Sequence, residues 1–253
     1  IEKIRLTGGE PLVKRGIVEL VELLREIDPP LIIGMTTNGS LLSPLAGKLR
    51  AAGLSSVNVS LDTLDPEEYR RITRGGDVRK VIEGIDAARE AGFPLKVNAV
   101  IPEVPGTASA PEAPEPLRRF CEERGITLQL INHFSLSREK RDFPEVPRSA
   151  EVESASGSAE AVAPDGGVSK KSGGRPDLGV GKPGPAVLRR PPACSECNRL
   201  RLLARGVLKP CLHSDTEIPV DFADIEGSLR KAAAAKPKRG SACTGREMVE
   251  IGG

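Results

Sequence analysis

The chain has 253 residues, enough for one large domain or two small ones. Its 37 basic and 35 acidic residues nearly cancel and only 2% of residues are aromatic, so no nucleic-acid-binding surface is expected. No apolar run reaches the roughly 18 residues of a membrane span. The charged start of the chain also lacks the apolar core of a signal peptide. We therefore expect a cytoplasmic protein that binds neither nucleic acid nor membrane.

Strand and helix patterns alternate along residues 1–135. Runs rich in β-branched and other apolar residues predict five strands, at 2–7, 31–37, 56–62, 95–101 and 126–132. Helical spacing predicts helices at 13–27, 42–52, 78–91 and 114–124, and Asp65-Pro66 begins another. Such alternation requires parallel strands joined by right-handed crossovers. An open doubly wound sheet and a complete or partial (β/α) barrel both satisfy it.

Residues 144–190 differ in composition from the rest of the chain. More than half of them are Pro, Gly, Ser or Ala, and none is aromatic. They bury too little apolar surface to offset the entropy lost on ordering, so most of this segment is predicted to be a linker. The expected organisation is therefore an α/β region at 1–143, a linker at 144–190 and a cysteine-containing segment at 191–253, with a helix at 222–235.

Glycines and small polar or acidic side chains follow the first three predicted strands, in residues 7–11, 36–39 and 60–62. The carboxyl ends of parallel strands meet at one edge of a sheet, so these residues predict one rim that binds a polar small molecule. Paired glycines let a ligand approach the backbone, and Glu10 can accept a hydrogen bond from a cationic amine. For residues 7–11 alone, a tight turn leading into a helix is the alternative.

Lys96 lies in a run otherwise suited to a buried strand. A lysine there protects an edge strand from pairing, or it points into a barrel and meets an anion. The sequence by itself favours the edge strand. Asn98, two residues further, shares the same face and environment.

Three cysteines form the strongest chemical pattern: Cys194 and Cys197 are three residues apart, and Cys211 follows a turn around Gly206. Three thiolates fit an iron–sulfur cluster with one open iron, or a zinc site completed by His213. We predict the cluster, because His213 follows Cys211 too closely for easy tetrahedral ligation. Arg199 and Arg201 beside the site bind phosphates or purine edges, or balance the thiolates. Cys121 and Cys243 are predicted to be a structural thiol and a loop thiol.

Six segments occur together in a specific order: KIRLTGGEPLV, MTTNGSLL, AGLSSVNVSLDTLDPEEY, VIEGIDAAREAGFPLKVNAV, CSECNRLRLLARGVLKPCL and the final IGG. In this combination they resemble the GTP 3′,8-cyclase family of molybdenum cofactor biosynthesis, whose members are radical S-adenosylmethionine enzymes. The resemblance covers most of residues 1–135 and again 194–213. It implies an α/β fold: an incomplete (β/α)6 TIM-like barrel with a C-terminal iron–sulfur segment.

The resemblance also implies a lyase that converts GTP to (8S)-3′,8-cyclo-7,8-dihydroguanosine 5′-triphosphate, the first step of molybdopterin biosynthesis. In the family, one 4Fe–4S cluster, bound by Cys-x3-Cys-x2-Cys, reduces S-adenosylmethionine to a 5′-deoxyadenosyl radical that abstracts hydrogen from the GTP ribose. A second 4Fe–4S cluster binds the guanine through its open iron. The implied partners are GTP and a reductant such as flavodoxin or ferredoxin, and a homodimer is left open.

Matching motifs assign the site residues. The positions implied for S-adenosylmethionine are Gly8, Gly9, Glu10, Ser60 and Phe134. Those implied for GTP are Arg5, Thr36, Lys96, Arg199, Leu200 and Arg201, and those implied for the second cluster are Cys194, Cys197 and Cys211. The terminal Gly252-Gly253 reaches the active site in the family.

The sequence departs from the family pattern in three places, one of which is the low-complexity segment 144–190, where the family usually has ordered structure. The chain contains no Cys-x3-Cys-x2-Cys, and no cysteine precedes Cys121. Since the chain also starts without Met inside a predicted strand, we expect a missing amino terminus, a barrel lacking its first βα unit, and an inactive chain. The alternative is a non-catalytic metal-binding protein that keeps the second cluster as a scaffold. Gln129 and Asn132 stand where many members have Arg and Glu.

Overall fold

The computed structural model describes residues 1–27, 31–101, 114–132, 187–188, 197–238 and 240. All of them belong to one of the two units into which the chain divides, Ile1–Arg138 together with Gly181–Gly253. Within this part the strands are β1 (Lys3–Leu6), β2 (Ile32–Thr37), β3 (Ser56–Ser60), β4 (Leu95–Ile101), β5 (Thr127–Asn132), β6 (Val187–Leu188), β7 (Arg201–Leu203), β8 (Val207–Lys209) and β9 (Ile218–Pro219). The helices are α1 (Ile17–Arg25), α2 (Ala46–Ala52), α3 (Pro66–Thr73), α4 (Val78–Glu90), α5 (Glu115–Glu123) and α6 (Ile225–Ala234).

The larger sheet is parallel throughout, and its strands lie in the order β1-β2-β3-β4-β5-β6. A doubly wound sheet reverses its strand order at a switch point, whereas this order follows the chain without reversal. Successive crossovers of one hand then place the helices on a single face of the sheet. The sheet is therefore an incomplete (β/α) barrel, and the doubly wound alternative is wrong.

Side chains alternate between the two faces of this sheet. The face toward the helices is apolar and almost fully buried, and it carries Ile33, Met35, Val57, Val59, Val97 and Leu128. The same core cluster includes Val21 of α1, Leu49 of α2, Ile85 of α4 and Leu117 of α5. The opposite face is polar. The inner strands of this sheet are therefore amphipathic. A parallel sheet that is covered on both faces instead has strands that are apolar throughout.

Three helices of the described part, α3, α4 and α6, begin at aspartate caps. The backbone N–H of Glu68 donates to Asp65 Oδ1 at 2.7 Å, and that of Arg79 donates to Asp77 Oδ1 at 3.0 Å. The hydrogen bonds from the Arg79 side chain and backbone lower the pKa of Asp77. The helix predicted to begin at Asp65-Pro66 is confirmed as α3.

Several predicted boundaries are wrong by a few residues. Helix α1 begins at Ile17 rather than at residue 13, because Pro11–Val13 form a 3₁₀ turn and Gly16 adopts a left-handed φ of 78°. Helix α2 begins at Ala46 rather than at 42. Helix α6 begins at Ile225 rather than at 222, because Asp224 accepts the Gly227 N–H and caps it.

Strand β6 lies inside the segment predicted to be mostly linker. Its two residues pair with Gln129 and Leu130 of β5. The rest of 144–190 lies outside the described residues. None of the helices in the described part combines the length and apolar character needed to cross a membrane.

A smaller antiparallel sheet, β7-β8-β9, follows in the chain. Its first hairpin turns at Gly206, as predicted, and α6 packs against β8 and β9. Lys209 on β8 is fully buried, and its ammonium donates to the carbonyl of Ser214. This contact closes the loop that follows Cys211.

Candidate ligand-binding face and cysteine cluster

The polar face of the parallel sheet brings Thr36 and Ser60 of the predicted rim into register with polar residues of neighbouring strands. Thr36 on β2 pairs with Asn58 on β3, and Asn58 pairs with Lys96 on β4. One row further, Ser60 pairs with Asn98. Because β4 lies between β3 and β5, Lys96 is on an inner strand, and its interpretation as an edge-strand residue is wrong.

Arg5 lies across strand β2 on this face. Its Nη1 donates to the carbonyl of Met35 at 3.2 Å and to Thr36 Oγ1 at 3.5 Å. A Cβ at Gly34 would lie 2.9 Å from Arg5 Nη2 and 3.1 Å from Ser56 Oγ. The absence of a side chain at Gly34 therefore lets the guanidinium reach Thr36. Sequence reasoning missed Gly34, although a glycine inside a strand signals this kind of close approach.

The side-chain oxygen of Asn98 is the clearest sign of a ligand. Oδ1 is buried, and no hydrogen-bond partner for it occurs within the described ranges. Leaving a buried acceptor unsatisfied costs about 1–3 kcal/mol, so native proteins normally pair it. Since Asn98 lies beside Ser60 and two residues from Lys96, its position fits a ligand that donates a hydrogen bond.

Asp62 joins the ends of β3 and β4. Its Oδ1 accepts the backbone N–H of Val100 at 2.7 Å. Burial raises the pKa of Asp62, the Val100 hydrogen bond opposes that increase, and the charge of Glu68 adds to it. The predicted rim at residues 60–62 is thus held against the neighbouring strand.

Glu10 has a different environment from the one predicted. Its Oε1 accepts the Leu12 N–H at 3.0 Å and the Thr37 hydroxyl at 2.7 Å, and its Oε2 accepts the Asn38 N–H at 2.7 Å. The carboxylate therefore ties the loop after β1 to the loop after β2. The structure assigns Glu10 a positioning role, and contact with a cationic amine stays a prediction.

Gly8 and Gly9 precede Glu10 in the same loop. Gly8 has a φ of 135°, which L side chains rarely adopt. A Cβ at Gly9 would meet no atom of the described residues within 4 Å. The backbone is open there, which fits the close approach of a cofactor.

Replacing Glu10 with alanine is expected to destabilise the fold by about 1–3 kcal/mol, because it removes three hydrogen bonds to one ionised group. Urea unfolding measures the change. Glu22→Ala, at an exposed position of α1, is the control and should stay within about 0.5 kcal/mol of the original chain. Equal stabilities of the two variants would contradict the positioning role.

Cys197 and Cys211 are free, half-buried thiols in the second site. Burial raises the pKa of the Cys197 thiol, but hydrogen bonds from Arg199 and the charge of Lys236 outweigh it, so the pKa is lowered. Burial and the charge of Arg199 lower the pKa of Arg201, while the two cysteines oppose this decrease. The cationic side chains near the two thiols are those of Arg199, Arg201 and Lys236. They favour the thiolate, which is the form that binds metal, so the site fits an anionic metal cluster.

The third predicted ligand, Cys194, lies outside the described residues. Among the residues that are described, no three of His, Cys, Asp and Glu gather as a metal site. A Cβ at Gly240 would lie 2.8 Å from His213 Cβ and 3.3 Å from Cys211 Sγ. His213 Cβ and the Cys211 sulfur therefore both lie near Gly240. The choice between cluster and zinc stays a prediction.

Other predicted positions also lie outside the described part of the chain: Phe134, Cys243 and the terminal Gly252-Gly253. Leu200 is half-buried and lies between Arg199 and Arg201. Cys121 is buried on α5, and burial is the main cause that raises its pKa to about 12. The prediction of a structural thiol at this position agrees with that environment.

Comparison with known proteins identifies the class. The model of the Radical SAM superfamily matches residues 1–106, which contain β1 to β4 and the polar rim. Members of this class use a 4Fe–4S cluster and S-adenosylmethionine, and the chain belongs to this superfamily.

Relatives at higher identity define the family within that class. The chain is 38% identical to the GTP 3′,8-cyclase of Peptoclostridium acidaminophilum, over 100% of this chain and 80% of the relative. It is 36% identical to that of Alkaliphilus oremlandii, over 100% of this chain and 82% of the relative. It is also 38% identical to that of Rhizobium leguminosarum bv. trifolii, over 91% of this chain and 65% of the relative. The chain belongs to the GTP 3′,8-cyclase family.

Proposed function

We propose that this chain provides the GTP-binding interior and the second iron–sulfur cluster of a cyclase that converts GTP to (8S)-3′,8-cyclo-7,8-dihydroguanosine 5′-triphosphate. The observation that carries the proposal is the polar face of the parallel sheet. Arg5, Thr36 and Lys96 share it with the buried oxygen of Asn98, which has no partner in the described ranges. A nucleoside triphosphate matches this face, because it brings phosphate oxygens for the cations and hydroxyl donors for the amide oxygen.

GTP would be held from two sides. Arg5 and Lys96 bind phosphate or ribose oxygens as fixed cations, and Thr36 adds a hydroxyl. The contact of Arg5 with the Met35 carbonyl supports this role, because it fixes the guanidinium before a ligand arrives. The second side is the cysteine segment, which presents Arg199, Leu200 and Arg201.

S-adenosylmethionine would lie against the rim of the same face. Gly8 and Gly9 allow it to approach the backbone, and Ser60 and Phe134 contribute side chains. When bound and reduced, this cofactor supplies the radical that abstracts hydrogen from the GTP ribose. Glu10 holds two of the rim loops at a fixed separation, so that both ligands meet a rigid edge.

Cys194, Cys197 and Cys211 would hold the second 4Fe–4S cluster. Three thiolates leave one iron free, which is available for a guanine nitrogen or oxygen. Arg199 and Arg201 then bind the substrate and also balance the negative charge of the thiolates. Support comes from the lowered pKa of Cys197. Both described cysteines also oppose the decrease in the pKa of Arg201, so they lie close to this side chain.

Nucleotide binding tests the proposal directly. The chain is reconstituted with iron and sulfide under anaerobic conditions and titrated with GTP and with ATP in a calorimeter. We expect GTP to bind roughly tenfold more tightly or better, a difference of about 1.4 kcal/mol, because guanine offers both O6 and N7 as acceptors to the arginines, whereas adenine has an amino donor in place of O6. A folded, cluster-loaded chain that binds neither nucleotide, or both equally, would contradict the proposal.

Radical formation requires a motif that the 253 residues do not contain. With no Cys-x3-Cys-x2-Cys, these residues alone are expected to produce no 5′-deoxyadenosine above a protein-free control, with dithionite as reductant. Fusion of a segment that carries the motif should restore production. Cleavage by residues 1–253 alone would show that the chain generates the radical in another way.

A further inference from the structure

Lys236 links the two described cysteine segments. It lies two residues beyond the end of α6, and its ammonium donates to the carbonyl of Arg199 at 2.8 Å and to that of Pro210 at 2.9 Å. Arg199 follows Cys197 by two residues, and Pro210 immediately precedes Cys211. One side chain therefore holds the backbone next to both thiols.

These hydrogen bonds begin where the β7–β8 ladder stops. Arg201 and Lys209 form the last pair of that ladder on the side of the cysteines. Beyond this pair, the two chain segments are joined by N–H groups of the Lys236 ammonium rather than by backbone N–H groups. Lys236 is half-buried, and its hydrogen bond to the Pro210 carbonyl is partly buried, so this bond competes less with water than an exposed one does.

The chain after α6 also approaches Cys211 a second time. A Cβ at Gly240 would lie 3.3 Å from the Cys211 sulfur and 2.8 Å from His213 Cβ, so a side chain would not fit there without movement. Lys236 and Gly240 thus contact the cysteine segment at two independent points, the first through hydrogen bonds and the second through close packing.

We propose that Lys236 is a positioning residue of the cysteine cluster, which holds the Cys197 and Cys211 segments at the separation that a bound cluster needs. This inference rests on the proposed function, because it takes these cysteines as cluster ligands. Lys236 itself does not contact the metal in this role. It acts through the two carbonyls and through a fixed positive charge beside the thiolates.

Three variants separate this role from a general effect on the fold. Lys236→Met removes both hydrogen bonds and the charge while keeping a side chain of similar length. Lys236→Arg keeps the charge and enough donors for both carbonyls. Lys238→Met removes an exposed lysine two residues away and is the matched control. Each protein is reconstituted anaerobically, and iron, sulfide, the rate of iron loss to a chelator and the cluster reduction potential are measured.

We expect Lys236→Met to lose iron about tenfold faster or more than the original chain, since the partners of metal ligands change metal affinity by about 10- to 100-fold. Its reduction potential should become more negative, because a positive charge beside the cluster favours the added electron. Lys236→Arg should restore both quantities in large part, and Lys238→Met should match the original chain. Circular dichroism of the cluster-free proteins should show equal folding.

The outcomes distinguish the two proposals. If the original chain takes up no cluster, the proposed function fails and this inference fails with it. If the original chain takes up a cluster and Lys236→Met matches it in iron loss and potential, only the role of Lys236 is refuted. Should Lys236→Met fail to fold, Lys236→Gln replaces it in the same comparison.

Discussion

Replacing Cys197 with serine is expected to abolish the iron–sulfur cluster of this chain. The original chain should purify anaerobically as brown protein with about four irons and four sulfides, and the variant with almost none. Cys197 is a proposed cluster ligand whose thiol pKa is lowered, and serine has no sulfur with which to bind iron. Iron and sulfide analysis, together with the visible spectrum, measures the result.

Two further variants make the cluster result specific. Cys121→Ala is the matched control, because its thiol is buried in the core and its pKa of about 12 keeps it protonated. This control should retain the cluster. His213→Ala decides between the metals, since His213 packs beside Cys211 at Gly240. Stoichiometric zinc that is lost in His213→Ala would refute the cluster and favour the non-catalytic metal-binding alternative.

Replacing Lys96 with alanine is expected to weaken GTP binding by about 1–3 kcal/mol, the range for a hydrogen bond to a charged group. This corresponds to a dissociation constant about 5 to 150 times higher. The physical reason is the register, which places Lys96 beside Asn58 on the polar face of an inner strand. Calorimetry with the cluster-loaded chain measures the affinity.

The control for Lys96 is an exposed lysine on the opposite side of the sheet. Lys48 lies on α2, and Lys48→Ala should leave GTP affinity unchanged within about twofold. Lys96→Met, which keeps the aliphatic stem, covers the case in which alanine disturbs packing. A folded Lys96 variant with unchanged affinity would remove Lys96 from the GTP site.

Local sequence patterns predicted the presence of strands and helices more accurately than the residues at which they begin and end. All five strands predicted in residues 1–135 are present, because alternating or continuous apolar residues report burial at the spacing of a strand. The helix predicted from residue 13 was placed too early, since the apolar spacing continues through a 3₁₀ turn that only the backbone reveals. Strand β6 was missed, because its two residues are ordered through pairing with β5 and lie in a segment of linker composition.

The candidate site was partly predictable for a similar reason. Polar residues at the ends of successive strands predicted a shared rim, and the register places Thr36 of that rim on one face with Lys96, which the sequence favoured as an edge-strand residue. The role of Glu10 was not predictable, because its partners Thr37 and Asn38 lie 27 and 28 residues away. The cysteine spacing suggested a metal site, but no sequence pattern pointed to Lys236 as the bridge between its segments.

The sequence by itself determined which residues prefer burial, where strands and helices alternate, and which residue types are available for metal and phosphate. These properties depend on each residue and its near neighbours. Only the tertiary structure decided the order of the strands, the inner position of Lys96, the passage of Arg5 over Gly34 and the contact of Lys236 with two distant carbonyls. Such contacts join residues far apart in the chain, and they exist only when the whole sheet or hairpin has formed.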